Sequence, residues 1–173
     1  SSSRQPAALD HAPAGAAVAR NSEATAGGGL VQFDVIGETL AKTTLGNLKV
    51  EQEVNIERSY HVGDEVGGHI LSGHVETTAT IQSIDQTLEN CILRFTLDPK
   101  WMEYILPKGF IAIDGCSLTL VDVTQDSFTV HLIPETLRVT TFAQKSVGET
   151  VNIELDRQTV TLVETVKRYL KKA

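Results

Sequence analysis

From Val31 onward, the apolar positions fall in short β-branched runs separated by turn residues: VQFDVI (31–36), VNI (54–56), TTATIQSI (77–84), CILRFTL (91–97), IAI (111–113), LTLVDV (118–123), FTVHLI (128–133) and VNIEL (151–155). Many short strands with Gly-containing turns predict an all-β barrel or sandwich. Two segments break this pattern. Asp98-Pro99 followed by WMEYIL has an N-cap residue and a proline at the first helical position, and Pro107 and Gly109 close the short helix it predicts. At 157–172, Val160, Val163, Val166 and Leu170 form one apolar stripe of a second helix. Lys167, Arg168, Lys171 and Lys172 lie at its C-terminal end, where the helix dipole favours cations. That stripe must bury itself against its own barrel or against a partner subunit.

The first 29 residues differ from the rest. Ala, Gly, Ser and Pro fill 19 of the 29 positions, with no period of 2 or 3.6. Burial cannot offset the ordering entropy of such a segment, so it reads as a disordered or non-native leader. The whole chain of 173 residues is acidic, with 15 Lys and Arg against 22 Asp and Glu and a net charge of −7. That balance argues against phosphate-backbone binding, so no nucleic-acid partner is expected. No apolar run approaches the ~18–20 residues of a membrane helix, so no membrane partner is expected. Two cysteines, Cys91 and Cys116, are too few for a disulfide scaffold or a four-cysteine zinc site and read as buried thiols of a reducing compartment.

An internal repeat organises the remainder. ETLAKTTLGNLKVEQEVNIE (38–57) and ETLRVTTFAQKSVGETVNIE (135–154) are identical at ten of twenty positions, at a constant offset of 97. Average composition would give about one or two matches. A period this long excludes a solenoid and implies two β domains of about 95 residues in tandem. The first-copy counterpart of Gly67–Val123 would fall upstream of the chain or in the leader, which lacks its strand pattern. The expected organisation is therefore a leader (1–29), a remnant of a first barrel (30–58), a complete second barrel (59–155) and a C-terminal oligomerisation helix (156–173).

Three segments could carry chemistry. In EVGGHILSGHVETT (65–78), glycines flank His69 and His74 and permit close backbone approach, which suits a ligand loop but equally a Gly-rich bend with surface histidines. Five-residue spacing puts strand histidines on opposite faces, and no metal motif completes them. In KGFIAIDGCSLTLVDV (108–123), Asp114-Gly115 opens a turn, and Ser117 and Thr119 share one face of the next strand. No nucleophile elbow surrounds Ser117. In HLIPETLRVTT (131–141), Pro134 marks a strand end, and the polar groups fit a capping loop or a pocket wall. Neither a P-loop nor a dinucleotide fingerprint is present.

GGHILSGHV, KGFIAIDGCSLTLVDV, LIPETLRVTT and VGETVNIELD, in this order and on a repeated chain, closely resemble riboflavin synthase. The resemblance runs from about Val31 to the C-terminus. It implies tandem six-stranded Greek-key barrels, the first one truncated here, with a C-terminal α-helix and a homotrimer built partly through that helix. It also implies a cytoplasmic enzyme without metal or organic cofactor. Its reaction is the dismutation of two 6,7-dimethyl-8-ribityllumazine molecules to riboflavin and 5-amino-6-ribitylaminouracil.

Carried over position by position, the resemblance assigns His74, Ser117 and Thr119 as the polar groups nearest the reacting ring. Gly73, His74 and Val75 form one wall, Lys108 approaches beside the helix exit, and Ser117, Leu118 and Thr119 meet the pteridine. Leu132, Ile133, Pro134, Glu135, Thr136 and Leu137 line the opposite side. In the first repeat, Asp34, Val35, Ile36, Gly37, Glu38 and Thr39 match the corresponding ligand strand. The family's opening M-F-x-G-I-V motif and the first barrel's own G-C-C-L-T strand are absent from this chain. A productive family site pairs the first barrel of one subunit with the second barrel of its neighbour. The expectation is a chain that binds a ribityllumazine but turns it over weakly. Two other classes stand beside it: a non-catalytic lumazine- or flavin-binding protein, and an inactive fragment.

Overall fold

Six of the apolar runs close on one another. A computed structural model describes residues 33–56, 61–63, 67–87 and 90–172; the leader lies outside the described residues. The strands are β1 (Thr77–Gln86), β2 (Cys91–Thr96), β3 (Phe110–Ile113), β4 (Cys116–Val123), β5 (Ser127–Leu132) and β6 (Thr150–Leu155). They form a closed barrel in the order β1-β2-β5-β4-β3-β6, every pair antiparallel. The β3–β4–β5 meander with β2 beside β5 is a Greek key.

Alternation along each strand decides what the barrel contains. Ala79 and Ile81, Leu93 and Phe95, Ile111 and Ile113, Leu118 and Leu120, Phe128 and Val130, and Val151, Ile153 and Leu155 point inward and are buried. Phe95 and Phe128 stack at 5.3 Å near the middle of the core. Closure removes the free strand edges that an open sheet would expose.

The strands predicted at 31–36 and 54–56 do not form among the described residues. Residues 33–36 run into helix α1 (Gly37–Lys42), and 54–56 carry no ladder bonds. A strand needs a neighbour; Phe33, Ile36, Val54 and Ile56 are exposed because no described strand pairs with them. The capping loop predicted at 134–141 is helix α2 (Pro134–Val139), started by Pro134. The repeat survives as shape: α1 and a 3-10 turn at Thr44–Asn47 correspond, 97 residues on, to α2 and a 3-10 turn at Thr141–Gln144.

The first-repeat segment is held to the barrel by exchanged bonds. The Thr44 N–H donates to Asn152 Oδ1 (2.7 Å), and the Thr141 N–H donates to Asn55 Oδ1 (2.8 Å). Each repeat's asparagine thus caps the other repeat's 3-10 turn. Asp114 joins the two halves: its carbonyl accepts from Asn55 Nδ2 (2.9 Å), and its Oδ1 accepts from the Asn152 N–H (2.7 Å). Lys145 balances the half-buried carboxylate at 3.0 Å.

After Asp98, which accepts from the Lys100 N–H (3.1 Å), the chain makes a 3-10 helix (Pro99–Tyr104) rather than a longer α-helix. Helix α3 (Arg157–Leu170) docks beside it. The Tyr104 hydroxyl donates to Glu164 (2.5 Å), and Lys167 pairs with Glu103. The expected stripe splits: Val160 packs on the core and Val163 is half-buried, whereas Leu162, Val166, Tyr169 and Leu170 face outward.

Asn55→Ala removes two bonds of the exchange and leaves the barrel core untouched. It is expected to speed proteolytic cleavage within 33–56 and to lower stability by about 1–2 kcal/mol. Limited proteolysis with denaturant unfolding measures both.

Candidate functional site

The outer face of β4, β3 and β6 is patterned by a tight hairpin. Asp114 (φ 45°) and Gly115 (φ 78°) form the two-residue turn between β3 and β4. Positive φ at both positions is what a type I′ turn demands, and Asp-Gly accommodates it. The resulting register sets Ser117 opposite Ala112, and Ala112 opposite Glu154. Thr119 lies opposite Phe110, and Asp156, one residue beyond the Leu155–Ile111 pair, comes next to Phe110 on its other side. These residues face away from the core, so the barrel carries two short polar rows on its outside.

Residues 67–76 cross this face. At one end, the His69 N–H donates to Ser117 Oγ (3.1 Å), and His69 Nδ1 lies 2.7 Å from the same oxygen. The imidazole stacks on Phe110, with ring centres 5.3 Å apart. Gly68 permits the approach, since a Cβ there would collide with the Ser117 side chain. At the other end, Glu154 is buried and accepts from the Ser72 N–H (2.6 Å), the Ser72 hydroxyl (2.8 Å) and the Gly73 N–H (3.1 Å). A buried carboxylate is tolerable only with such donors. Glu76 ties the segment's exit, accepting from the Leu155 N–H (3.0 Å) and pairing with Arg157 (2.9 Å).

Asp156 caps α3, accepting from the Gln158 and Thr159 N–H groups (3.2 and 3.1 Å) and the Thr159 hydroxyl (2.7 Å). Burial pushes its carboxyl up, but these bonds, with a smaller contribution from neighbouring His69, outweigh that and hold it below the ordinary Asp range.

The structure brings some predicted residues together and separates others. Ser117 and Thr119 share the outer face of β4, with Phe110 and Ala112 beside them. Gly73 is bound at Glu154, two strands from Ser117, a step of about 10 Å. His74 follows it, exposed, its imidazole hydrogen-bonded to no described residue; Val75 is half-buried. His69, not His74, is the histidine that reaches Ser117. Lys108 stands exposed two residues before Phe110, its N–H donating to the Leu120 carbonyl (2.9 Å). Leu118 and Leu132 point into the core, so their side chains cannot line an outer pocket.

Leu120 pairs with Val130; extending that register sets Leu132 across from Leu118, and Ile133 and Pro134 leave the barrel at the Ser117 end. Exposed Glu135 pairs with Arg138 (2.6 Å), the Thr136 carbonyl accepts from the Thr140 hydroxyl (2.6 Å), and Leu137 packs on the core. Asp34, Val35, Ile36, Gly37, Glu38 and Thr39 lie before and within α1, and among the described residues no hydrogen bond links them to the Ser117 face.

His69 was visible to the sequence as part of the GGH segment. Glu154 was not: a polar residue in an alternating strand reads as solvent-facing, and nothing local announces the loop that covers it.

Comparison with known proteins adds the following. The lumazine binding domain family matches residues 72–156, which span the barrel. Riboflavin synthase of Escherichia coli (strain K12) is 48% identical over 167 residues, covering 94% of this chain and 78% of that protein. Riboflavin synthase of Chlamydia pneumoniae is 51% identical over 138 residues, covering 80% of this chain and 67% of that protein. Among solved structures, LumP complexed with 6,7-dimethyl-8-(1'-D-ribityl) lumazine superposes with TM-score 0.66 at 22% identity, covering 82% of this chain and 73% of that one. LumP complexed with riboflavin gives 0.67 at 24% identity, with 82% and 74% covered. At that identity the likeness speaks for the fold.

Two outcomes test the site's architecture. Glu154→Ala leaves three donors without their acceptor and is expected to cost about 2–3 kcal/mol in denaturant unfolding, with Glu154→Gln milder. Asp156, lowered when folded, contributes stability above the ordinary Asp range and loses it as pH falls through its folded value. Acid unfolding curves of Asp156→Asn should lack that part of the acid-side loss.

Proposed function

The chain belongs to the riboflavin synthase family, and on that premise we propose that it binds 6,7-dimethyl-8-ribityllumazine on the outer barrel face around Ser117 and Thr119. The single observation that carries this is the covered face itself. Two hydroxyls two residues apart on β4 stand beside a glycine-rich segment held at one end by Ser117 and at the other by Glu154. The start of α2 leaves the barrel at the same end. Such a wall suits a flat, polar heterocycle with a hydroxylated side chain.

The family reaction passes a four-carbon unit from one lumazine to another. No net oxidation occurs, because one ring gains what the other gives up. The lumazine ring is already electrophilic, and its 7-methyl group is acidic. What remains for the protein is to hold two rings in register and to move protons. Ser117 and Thr119 supply hydroxyls for this purpose; His74, exposed beyond the Gly73 anchor, is free to turn toward a bound ligand; Lys108 adds a cation at the far end of the β3–β4 hairpin.

A ring bound on the second barrel requires a second ring presented opposite it. In this 173-residue chain the first repeat contributes α1, its 3-10 turn and the extended segments around them, without a barrel strand among the described residues. The outward residues Leu162, Val166, Tyr169 and Leu170 of α3 support assembly through that helix, with a homotrimer as the expected state. A cytoplasmic setting, with Cys91 and Cys116 as thiols, is the expected one.

Titrating the chain with 6,7-dimethyl-8-ribityllumazine while following ligand fluorescence, and then assaying riboflavin, tests the proposal. Saturable binding that Ser117→Ala weakens, with riboflavin formed, is expected. No binding, or binding that Ser117→Ala leaves unchanged, overturns the assignment.

A further inference from the structure

We propose that His69 is a positioning residue for the reaction, fixing the Ser117 hydroxyl so that its remaining lone pair faces the bound ring. The inference rests on the lumazine assignment above and adds a residue to it.

Two bonds join His69 to one oxygen. Its backbone N–H donates to Ser117 Oγ at 3.1 Å, and its Nδ1 lies 2.7 Å from the same atom. A serine hydroxyl offers one proton and two lone pairs. The backbone N–H occupies one lone pair. The imidazole settles the rest through its tautomer. Nε2 is buried and has no hydrogen-bond partner among the described residues, and the imidazole stacks on Phe110. In the tautomer we propose, Nε2 carries the proton. Nδ1 is then the acceptor, the Ser117 proton points to it, and one lone pair remains for a donor or an acidic C–H of the ligand.

The arrangement is locked on every side. Phe110 supports the imidazole from below. Gly68 brings the backbone close enough for the first bond, and a Cβ there would displace the Ser117 side chain. Of the acidic groups along this wall, Glu154 on β6 is bonded to Ser72 and Gly73, and Asp156, just beyond β6, caps α3. Asp156 lies near enough to interact electrostatically with His69. In the step this serves, a proton leaves the ligand's 7-methyl carbon for Ser117 Oγ as the Ser117 proton moves to His69 Nδ1. The electron pair left on carbon spreads into the pteridine ring, and the imidazolium returns its proton by the reverse path.

The test uses the full chain with 6,7-dimethyl-8-ribityllumazine in heavy water. Fluorescence gives the dissociation constant, and proton NMR gives the protein-dependent rate of deuterium uptake at the 7-methyl group. His69→Phe keeps a ring on Phe110 but removes the Nδ1 acceptor; His69→Asn places an amide where Nδ1 stood. His69→Phe is expected to slow exchange about a hundredfold with little change in affinity, and His69→Asn to recover part of it. In a Ser117→Ala background, His69→Phe should have no further effect, which a merely structural role would not produce. Exchange unaffected by His69→Phe, effects that multiply in the double variant, or wild-type binding without accelerated exchange overturns the inference while leaving the binding assignment intact. A wild-type chain that does not bind overturns both.

Discussion

A buried carboxylate on the outside of a barrel is the constraint on which the site depends. Glu154 lies on the face of β6 that should meet water, yet it is covered, and covering it is possible only because Ser72 and Gly73 supply three donors. Their departure would leave a charge stripped of both water and partners, so the segment stays. The same anchoring delivers His69 to Ser117 two strands away. One acidic side chain thereby converts a flexible glycine-rich stretch into a fixed wall, and the hydroxyls of β4 acquire a shaped environment instead of bare solvent.

The second organising feature is the exchange between repeats. Asn55 and Asn152 occupy equivalent positions, as do Thr44 and Thr141, and each asparagine caps the turn of the other copy. A duplicated sequence meeting itself across a local twofold axis produces such reciprocity, in the manner of an isologous interface between subunits. It also explains why the first-repeat segment keeps its helix and 3-10 turn although none of its described residues joins a strand ladder. Its order comes from backbone caps and from Asp114, which touches both asparagines. Asp114 belongs as well to the hairpin turn that sets the Ser117 register, so the repeat interface and the site share a residue.

Much of this was readable in advance. Inward alternation at Leu93 and Phe95, or Phe128 and Val130, marks strands because each is hydrophobic every second residue, and Asp114-Gly115 between two such runs marks the hairpin. Ser117 and Thr119 on one face follow from that hairpin alone. The segments at 31–36 and 54–56 carry the same local signal but formed no strand in the described residues, since β structure is completed by a neighbour and not by propensity. The choice between His69 and His74 also lay beyond local pattern: both sit beside glycines, and only the path of residues 67–76 across three strands decides which one meets Ser117. Glu154 was unreadable for the same reason, its burial being caused by residues some eighty positions away.

The central claim is that the outer barrel face around Ser117 and Thr119, beside residues 67–76, is the ligand surface. Mapping backbone amide shifts while 6,7-dimethyl-8-ribityllumazine is added tests it most directly. The account predicts that the perturbed amides cluster at Ser72–Val75, Ser117–Thr119 and Ile133–Leu137. Perturbations confined to the outer side of α3 or to the first-repeat segment, with the Ser117 strand silent, would contradict it.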